Sequence, residues 1–286
     1  GKFAHVPILE PSNGQEAKEF TKSAFDISEE FDTPVLLRLL TPVALEEFEV
    51  LESNPRFFGN RGFSKGLYKV RLSKFRGEQS KFAPFVQEER TRPKATSERI
   101  RKLALFAEDF PANITETNER SCGIISSGTC YNYAKQVFPD FSFLKLAMVY
   151  PLPINKIKEF AEKVDKLYVI EELSPFIEEQ IKASGIEVTG KELFPEYGKF
   201  TSNMIEKNIK DNQKYESDYK HGPYQAVCPG CPYLALFHSI KKAIVNRNVN
   251  FFITGDTGCM GKIRDYRLLD AGIDMGGQYS YSKWSE

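Results

Sequence analysis

The chain has 286 residues, 41% of them apolar, and its 39 acidic residues balance 39 basic ones. That is enough for a packed core in one or two domains, and it leaves no global field for nucleic acid or an anionic membrane surface. No apolar run approaches the roughly 20 residues of a membrane span, the first residues do not read as a secretory leader, and five cysteines are too few for a disulfide scaffold. A cytoplasmic α/β protein whose thiols serve redox or cofactor chemistry is expected, with neither nucleic acid nor membrane as partner.

Gly1-Lys2-Phe3 lacks an initiator methionine and a helix signal follows almost at once, as if the chain entered in mid-domain. Ser12-Asn13-Gly14-Gln15 fits a capping box, and Ala17, Phe20, Ala24, Ile27 and Phe31 then share one helix face. Asp32-Thr33-Pro34 ends that helix, and Val35–Leu40 reads as a buried strand stopped before Pro42, so residues 1–44 form one αβ unit. Periodicity weakens over 45–118, where Arg61, Lys65, Lys69, Arg71, Lys74, Arg76 and Lys81 interleave with Phe63, Tyr68 and Phe75. A phosphate-binding patch and a solvated connector both fit that run. Glu98–Phe110 looks helical within it.

Regular alternation resumes at Gly123–Gly128, a strand ending in glycine, followed by a helix carrying Tyr131, Ala134, Val137 and Phe138 and by a strand over Phe143–Val149. Pro153 opens a helix with Ile154, Ile157, Phe160, Ala161 and Val164 on one stripe, and Leu167–Ile170 is the next strand, with Glu171-Glu172 at its carboxyl end. Pro175 opens another helix that stops at Ser184-Gly185 before a strand at Ile186-Glu187-Val188. This alternation predicts a mainly parallel sheet covered on both faces over 119–200. Residues 201–220 are polar and read as a linker; beyond it, 221–286 begins a further αβ unit with a helix over Tyr233–Ile244 and a strand over Val249–Thr254 that feeds Gly255.

Two segments in this last part carry chemistry. Cys228-Pro229-Gly230-Cys231-Pro232 sets a dithiol at a helix start, where the helix dipole favours thiolate. A redox pair, half of a zinc or iron–sulfur site, and a turn with inert cysteines all fit it. Cys122, Cys130 and Cys259 are isolated in sequence, so no four-thiolate set is assembled and no metal ligand is assigned. Gly255-Asp256-Thr257-Gly258-Cys259 follows a strand, where flanking glycines let backbone approach a ligand or simply make a tight turn. Cys228, Cys231, Gly255, Asp256, Gly258 and Cys259 are therefore the candidate cofactor-binding residues, with no catalytic residue assigned.

Leu9-Glu10-Pro11-Ser12, Asp32-Thr33-Pro34-Val35-Leu36-Leu37-Arg38, Gly123–Gly128, Tyr150-Pro151-Leu152-Pro153, Glu171-Glu172-Leu173-Ser174-Pro175-Phe176 and the two cysteine segments occur in that order. The set resembles the alpha subunit of indolepyruvate:ferredoxin oxidoreductase, in the thiamine-diphosphate-dependent 2-oxoacid:ferredoxin oxidoreductase family. The resemblance implies α/β domains like those of thiamine-diphosphate enzymes. The end of a pyrimidine-binding-like domain falls over 1–44 and the start of a pyrophosphate-binding-like one over 221–286, and they flank a transketolase C-terminal-like domain over 119–200. It further implies oxidative decarboxylation of an aryl 2-oxoacid to acyl-coenzyme A, with thiamine diphosphate and Mg2+, ferredoxin as acceptor and a small beta subunit as partner. The [4Fe-4S] clusters of the full-length family member have no ligands in this stretch, and the family's metal-anchoring Gly-Asp segment lies downstream of Asp256. A non-catalytic α/β assembly module and a dithiol oxidoreductase built on Cys228 and Cys231 are the alternatives.

Overall fold

The computed structural model describes residues 1–45, 47–52, 91–216, 232–245, 254–256 and 271–273. The basic run at 61–81 lies outside them. Two compact units divide the chain, Gly1–Tyr219 and Lys220–Glu286.

In the first unit, β1 (Ile8–Leu9) leads into α1 (Gly14–Phe31), then β2 (Leu36–Leu37) and the short α2 (Thr41–Leu45). Asn13 caps α1 by accepting the Glu16 N–H, and Glu16 returns the bond by accepting the N–H and hydroxyl of Ser12. Glu16, not Gln15, therefore closes the capping box. The apolar stripe works as expected: Phe20 and Ile27 are buried, with Ala24 and Phe31 packed alongside. Val35–Leu40 shortens to a two-residue strand with Leu36 and Leu39 exposed. Among the described residues β2 pairs only with β1, so one of its edges is open.

After α3 (Thr91–Asp109) come β3 (Ile114–Glu116), β4 (Glu119–Ser127), α4 (Gly128–Val137), β5 (Phe141–Leu146) and β6 (Met148–Tyr150). Then follow α5 (Ile154–Ala161), β7 (Leu167–Ile170), α6 (Phe176–Ala183) and α7 (Ser202–Asp211). The four-stranded sheet has the order β3-β5-β4-β7 and the three-stranded sheet the order β2-β1-β6. Both are mixed, which corrects the mainly parallel expectation: β4 is parallel to β5 and β7, but β3 runs antiparallel to β5 and β6 antiparallel to β1.

Alternation along β4 sends Ile125 to one face of the sheet, under α5 and α6, and Ile124 to the other, under α4 and α7. Phe160 and Ile181 fill the first layer, Phe194 and Phe200 the second. Residues 202–211, expected as polar linker, are a helix: Thr201 caps it through the Met204 N–H, and Met204, Ile205 and Asn208 are buried. An apolar pair every turn was too sparse to register against the surrounding Lys and Asn. The strand expected at Ile186–Val188 is reduced to one bridge between Tyr168 and Thr189.

The predicted strand Phe143–Val149 is two strands in two sheets, separated by Ala147. Ala147 cannot continue the ladder, because its N–H is held by Asn113 Oδ1 at 2.8 Å and its carbonyl accepts the Glu10 N–H at 2.8 Å. Asn113 also takes the Met148 N–H at 3.1 Å and donates to the Ala107 carbonyl at 2.8 Å, tying the end of α3 to this joint. One strand thus serves both sheets, and it brings residues 1–44 against 119–200. Asn113→Ala should lower stability by roughly 2–5 kcal/mol, since each orphaned buried amide costs about 1–3 kcal/mol. Chemical denaturation checks this, and a change below about 1 kcal/mol would contradict the role of the joint.

In the second unit, α8 (Pro232–Val245) follows the first cysteine segment, and β8 (Thr254–Asp256) pairs in parallel with β9 (Ala271–Ile273).

Candidate functional site

The sequence-predicted site falls largely outside the described residues: Cys228, Cys231, Gly258 and Cys259 are not among them. Gly255 and Asp256 are, and they are ladder residues of β8 opposite Gly272 and Ile273. The strand therefore runs through them and does not end at Thr254; the turn expected to start at Gly255 lies beyond Asp256. Among the described residues no group of three or more His, Cys, Asp or Glu side chains is placed to hold a metal ion. Mg2+ with a diphosphate needs such oxygen ligands, so these residues do not fit that group and no step through it is derived. The two described thiols are poor redox candidates: burial pushes both up, Cys130 strongly, which keeps them protonated.

The first unit builds a different constellation. From β4 the chain crosses to β5 on one side, and from β7 it leaves towards Thr189 on the other. The carboxyl ends of β4 and β7 therefore flank a topological switch point, where open α/β sheets form a crevice. β4 ends in Ser127, with Gly128 opening α4, and Glu171-Glu172 follow β7. The Ala147 joint adds the ends of β1 and β2, namely Glu10 and Arg38. Buried Glu10 pairs with the Arg38 guanidinium and accepts the Ser127 hydroxyl at 2.9 Å. A cavity of about 250 Å³ is lined by Arg38, Glu171, Glu172, Ser174 and Phe176, with Ile8, Val149 and Leu173. Leu173 has φ 67°, the left-handed region that side-chain-bearing residues rarely adopt, and such strain gathers at functional sites.

Glu171 is the most perturbed acid of the crevice. Its carboxylate accepts the Ile177 N–H at 2.8 Å and the Glu178 N–H at 2.9 Å at the start of α6, while Lys191 Nζ donates to its backbone carbonyl. Burial pushes the carboxyl up to about 7, outweighing the two amides and Lys191, which favour the charged form. Glu172 is raised for the same reason, opposed by the Phe200 amide and by Arg38, and burial lowers Lys191. A carboxyl that titrates near neutrality on a cavity wall is able to take or give a proton at neutral pH.

The sequence reading marked Glu171-Glu172 but assigned no role to Glu10, Arg38 or Ser127. Their shared signal is a polar residue immediately after an apolar strand, as in Leu9-Glu10, Leu37-Arg38, Ser127-Gly128 and Ile170-Glu171. Because the folded-state value of Glu171 lies above its ordinary 4.5, its contribution to stability is complete below that value and is lost as pH rises through about 7. Glu171→Gln, which cannot ionise, should gain stability relative to the native chain by up to about 3 kcal/mol as pH is raised from about 5 to about 8. Urea titrations at both pH values check this, and parallel behaviour of the two proteins would contradict it.

No protein-family model matches the chain. It is 30% identical over 304 residues to the indolepyruvate oxidoreductase subunit IorA of Thermococcus kodakarensis, covering 96% of this chain and 46% of that protein. The IorA of Methanothermobacter marburgensis is 29% identical over 301 residues, covering 96% and 47%. A solved 2-oxoglutarate:ferredoxin oxidoreductase from Magnetococcus marinus superposes with a TM-score of 0.47 at 15% identity, over 72% of this chain and 42% of that one. The chain spans about half the length of the curated relatives it matches, and over nearly all of its own length it is homologous to the indolepyruvate oxidoreductase subunit IorA.

Proposed function

We propose that this chain is part of the alpha subunit of a cytoplasmic ferredoxin-dependent oxidoreductase that converts aryl pyruvates, indolepyruvate among them, to acyl-coenzyme A. The observation that carries this reading is the 30% identity to a protein named as an indolepyruvate oxidoreductase subunit, sustained over 96% of the chain. A small beta subunit, ferredoxin and [4Fe-4S] clusters held elsewhere in the full-length protein belong to the same reading. So do the domain assignments: pyrimidine-binding-like over 1–44, transketolase C-terminal-like over 119–200 and pyrophosphate-binding-like over 221–286.

Thiamine diphosphate with Mg2+, when bound, supplies the carbon nucleophile and electron sink that decarboxylation of a 2-oxoacid requires. Cys228, Cys231, Gly255, Asp256, Gly258 and Cys259 are proposed to face it. Glycine at 255 and 258 permits close backbone approach, and the thiols at 228 and 231 precede α8 in sequence. The role of the first unit is to carry the crevice between Glu10, Arg38, Glu171 and Glu172 as a rigid neighbour of that site; its own residues bind and exchange protons.

The test uses the full-length protein with its beta partner. Titration calorimetry should give saturable binding of thiamine diphosphate with Mg2+, and indolepyruvate with coenzyme A should reduce ferredoxin. Absence of both would contradict the proposal. Exchanging Cys228 and Cys231 for serine should weaken cofactor binding at least about tenfold, ~1.4 kcal/mol, with circular dichroism unchanged. Unaltered affinity would remove these two residues from the cofactor-facing wall.

A further inference from the structure

The amino end of α4 is occupied by a side chain from the other sheet. α4 has 10 residues, long enough for its free amides and dipole to favour an anion at Gly128. Its N-cap residue, Ser127, makes no side-chain bond to its own helix and donates its hydroxyl to Glu10 Oε1 at 2.9 Å. Gly128 has φ 53°, and a Cβ there would stand 2.6 Å from the same Glu10 oxygen, so only glycine admits the carboxylate this close. Arg38 holds the other oxygen. Two more hydroxyls of this strand-to-helix turn, Ser126 Oγ and Thr129 Oγ1, are fully buried and have no hydrogen-bond partner among the described residues. Buried donors are seldom left so. The turn therefore presents more donors than Glu10 alone satisfies, in the place where α/β proteins seat a ligand anion.

We propose that Glu10 is the resident anion of this switch point: its carboxylate fills a cradle built for a carboxylate or phosphate group, and its removal opens that cradle to a small free anion. The crevice is consequently closed to anionic ligands at the α4 end while Glu10 is in place, and Glu10 holds β1 against β4 by the same contact. This inference does not depend on the oxidoreductase reading.

The test is anion rescue of the full chain, followed by thermal and urea denaturation in acetate, formate or inorganic phosphate against chloride of matched ionic strength. Glu10→Ala should be destabilised in chloride and restored saturably by the three anions, with a roughly tenfold gain in the folded-to-unfolded ratio at about ten times the dissociation constant. The native protein and Glu10→Gln, whose side chains still fill the cradle, should show no such gain. If Glu10→Ala is unfolded in chloride, recovery of its circular dichroism in acetate is the same positive result. No rescue by any anion, or equal anion stabilisation of the native protein or Glu10→Gln, would overturn the proposal.

Discussion

Ala147 satisfies its backbone groups away from the four-stranded sheet, its N–H on Asn113 and its carbonyl on the Glu10 N–H. A ladder that loses both groups at one residue must end there, yet the chain stays extended and pairs again through Met148–Tyr150 with a different strand. The rest of the first unit depends on this. The joint registers β1 and β2 against β4 and β7, so that polar residues at four strand ends converge although they lie up to 162 positions apart, from Glu10 to Glu172. Without it, residues 1–44 and 119–200 would share packing but no backbone register.

Charge placement reinforces that register. Lys145 on β5 is buried, pairs with Glu16, donates to Ser12 Oγ at 2.9 Å and lies over the Tyr131 ring. Tyr131 and Lys135 in turn both donate to Glu116. A buried ion pair adds little net stability over a packed apolar pair, but breaking one is expensive. The network therefore acts on specificity: the α1 amino end has one place on β5 where Lys145 is satisfied. Glu10 with Arg38 and Ser127 does the same a few ångströms of chain further back. Two charged clusters and one strand break fix one relative placement of the two sheets.

Much of this was legible in the residues. Ala17, Phe20, Ala24, Ile27 and Phe31 announced α1, and Leu167–Ile170 matched β7. What failed has physical causes. Phe143–Val149 is uniformly apolar, so periodicity cannot reveal a sheet change caused by a distant Asn113 side chain. The helix at Ser202–Asp211 buries Met204, Ile205 and Asn208, and buried asparagine satisfied by the Leu193 carbonyl at 2.8 Å looks like linker in composition. The parallel expectation missed β3 and β6 because antiparallel partners are set by tertiary pairing. Of the site, the strand-end Glu171-Glu172 was visible, whereas Glu10 and Arg38 gain meaning only when the joint brings them to Ser127. The cysteine and glycine segments stay a proposal drawn from spacing and homology, with Gly255 and Asp256 placed in a strand.

The central claim is that the Ala147 joint is part of the global core and not a local seam between two independently opening sheets. Native-state hydrogen exchange of the Glu10, Ala147 and Met148 amides measures this directly. The account predicts that all three open only with the Ile125 amide at the centre of β4, at the same free energy and with the same denaturant dependence. Exchange of these three through a smaller, denaturant-insensitive opening while Ile125 stays protected would contradict it.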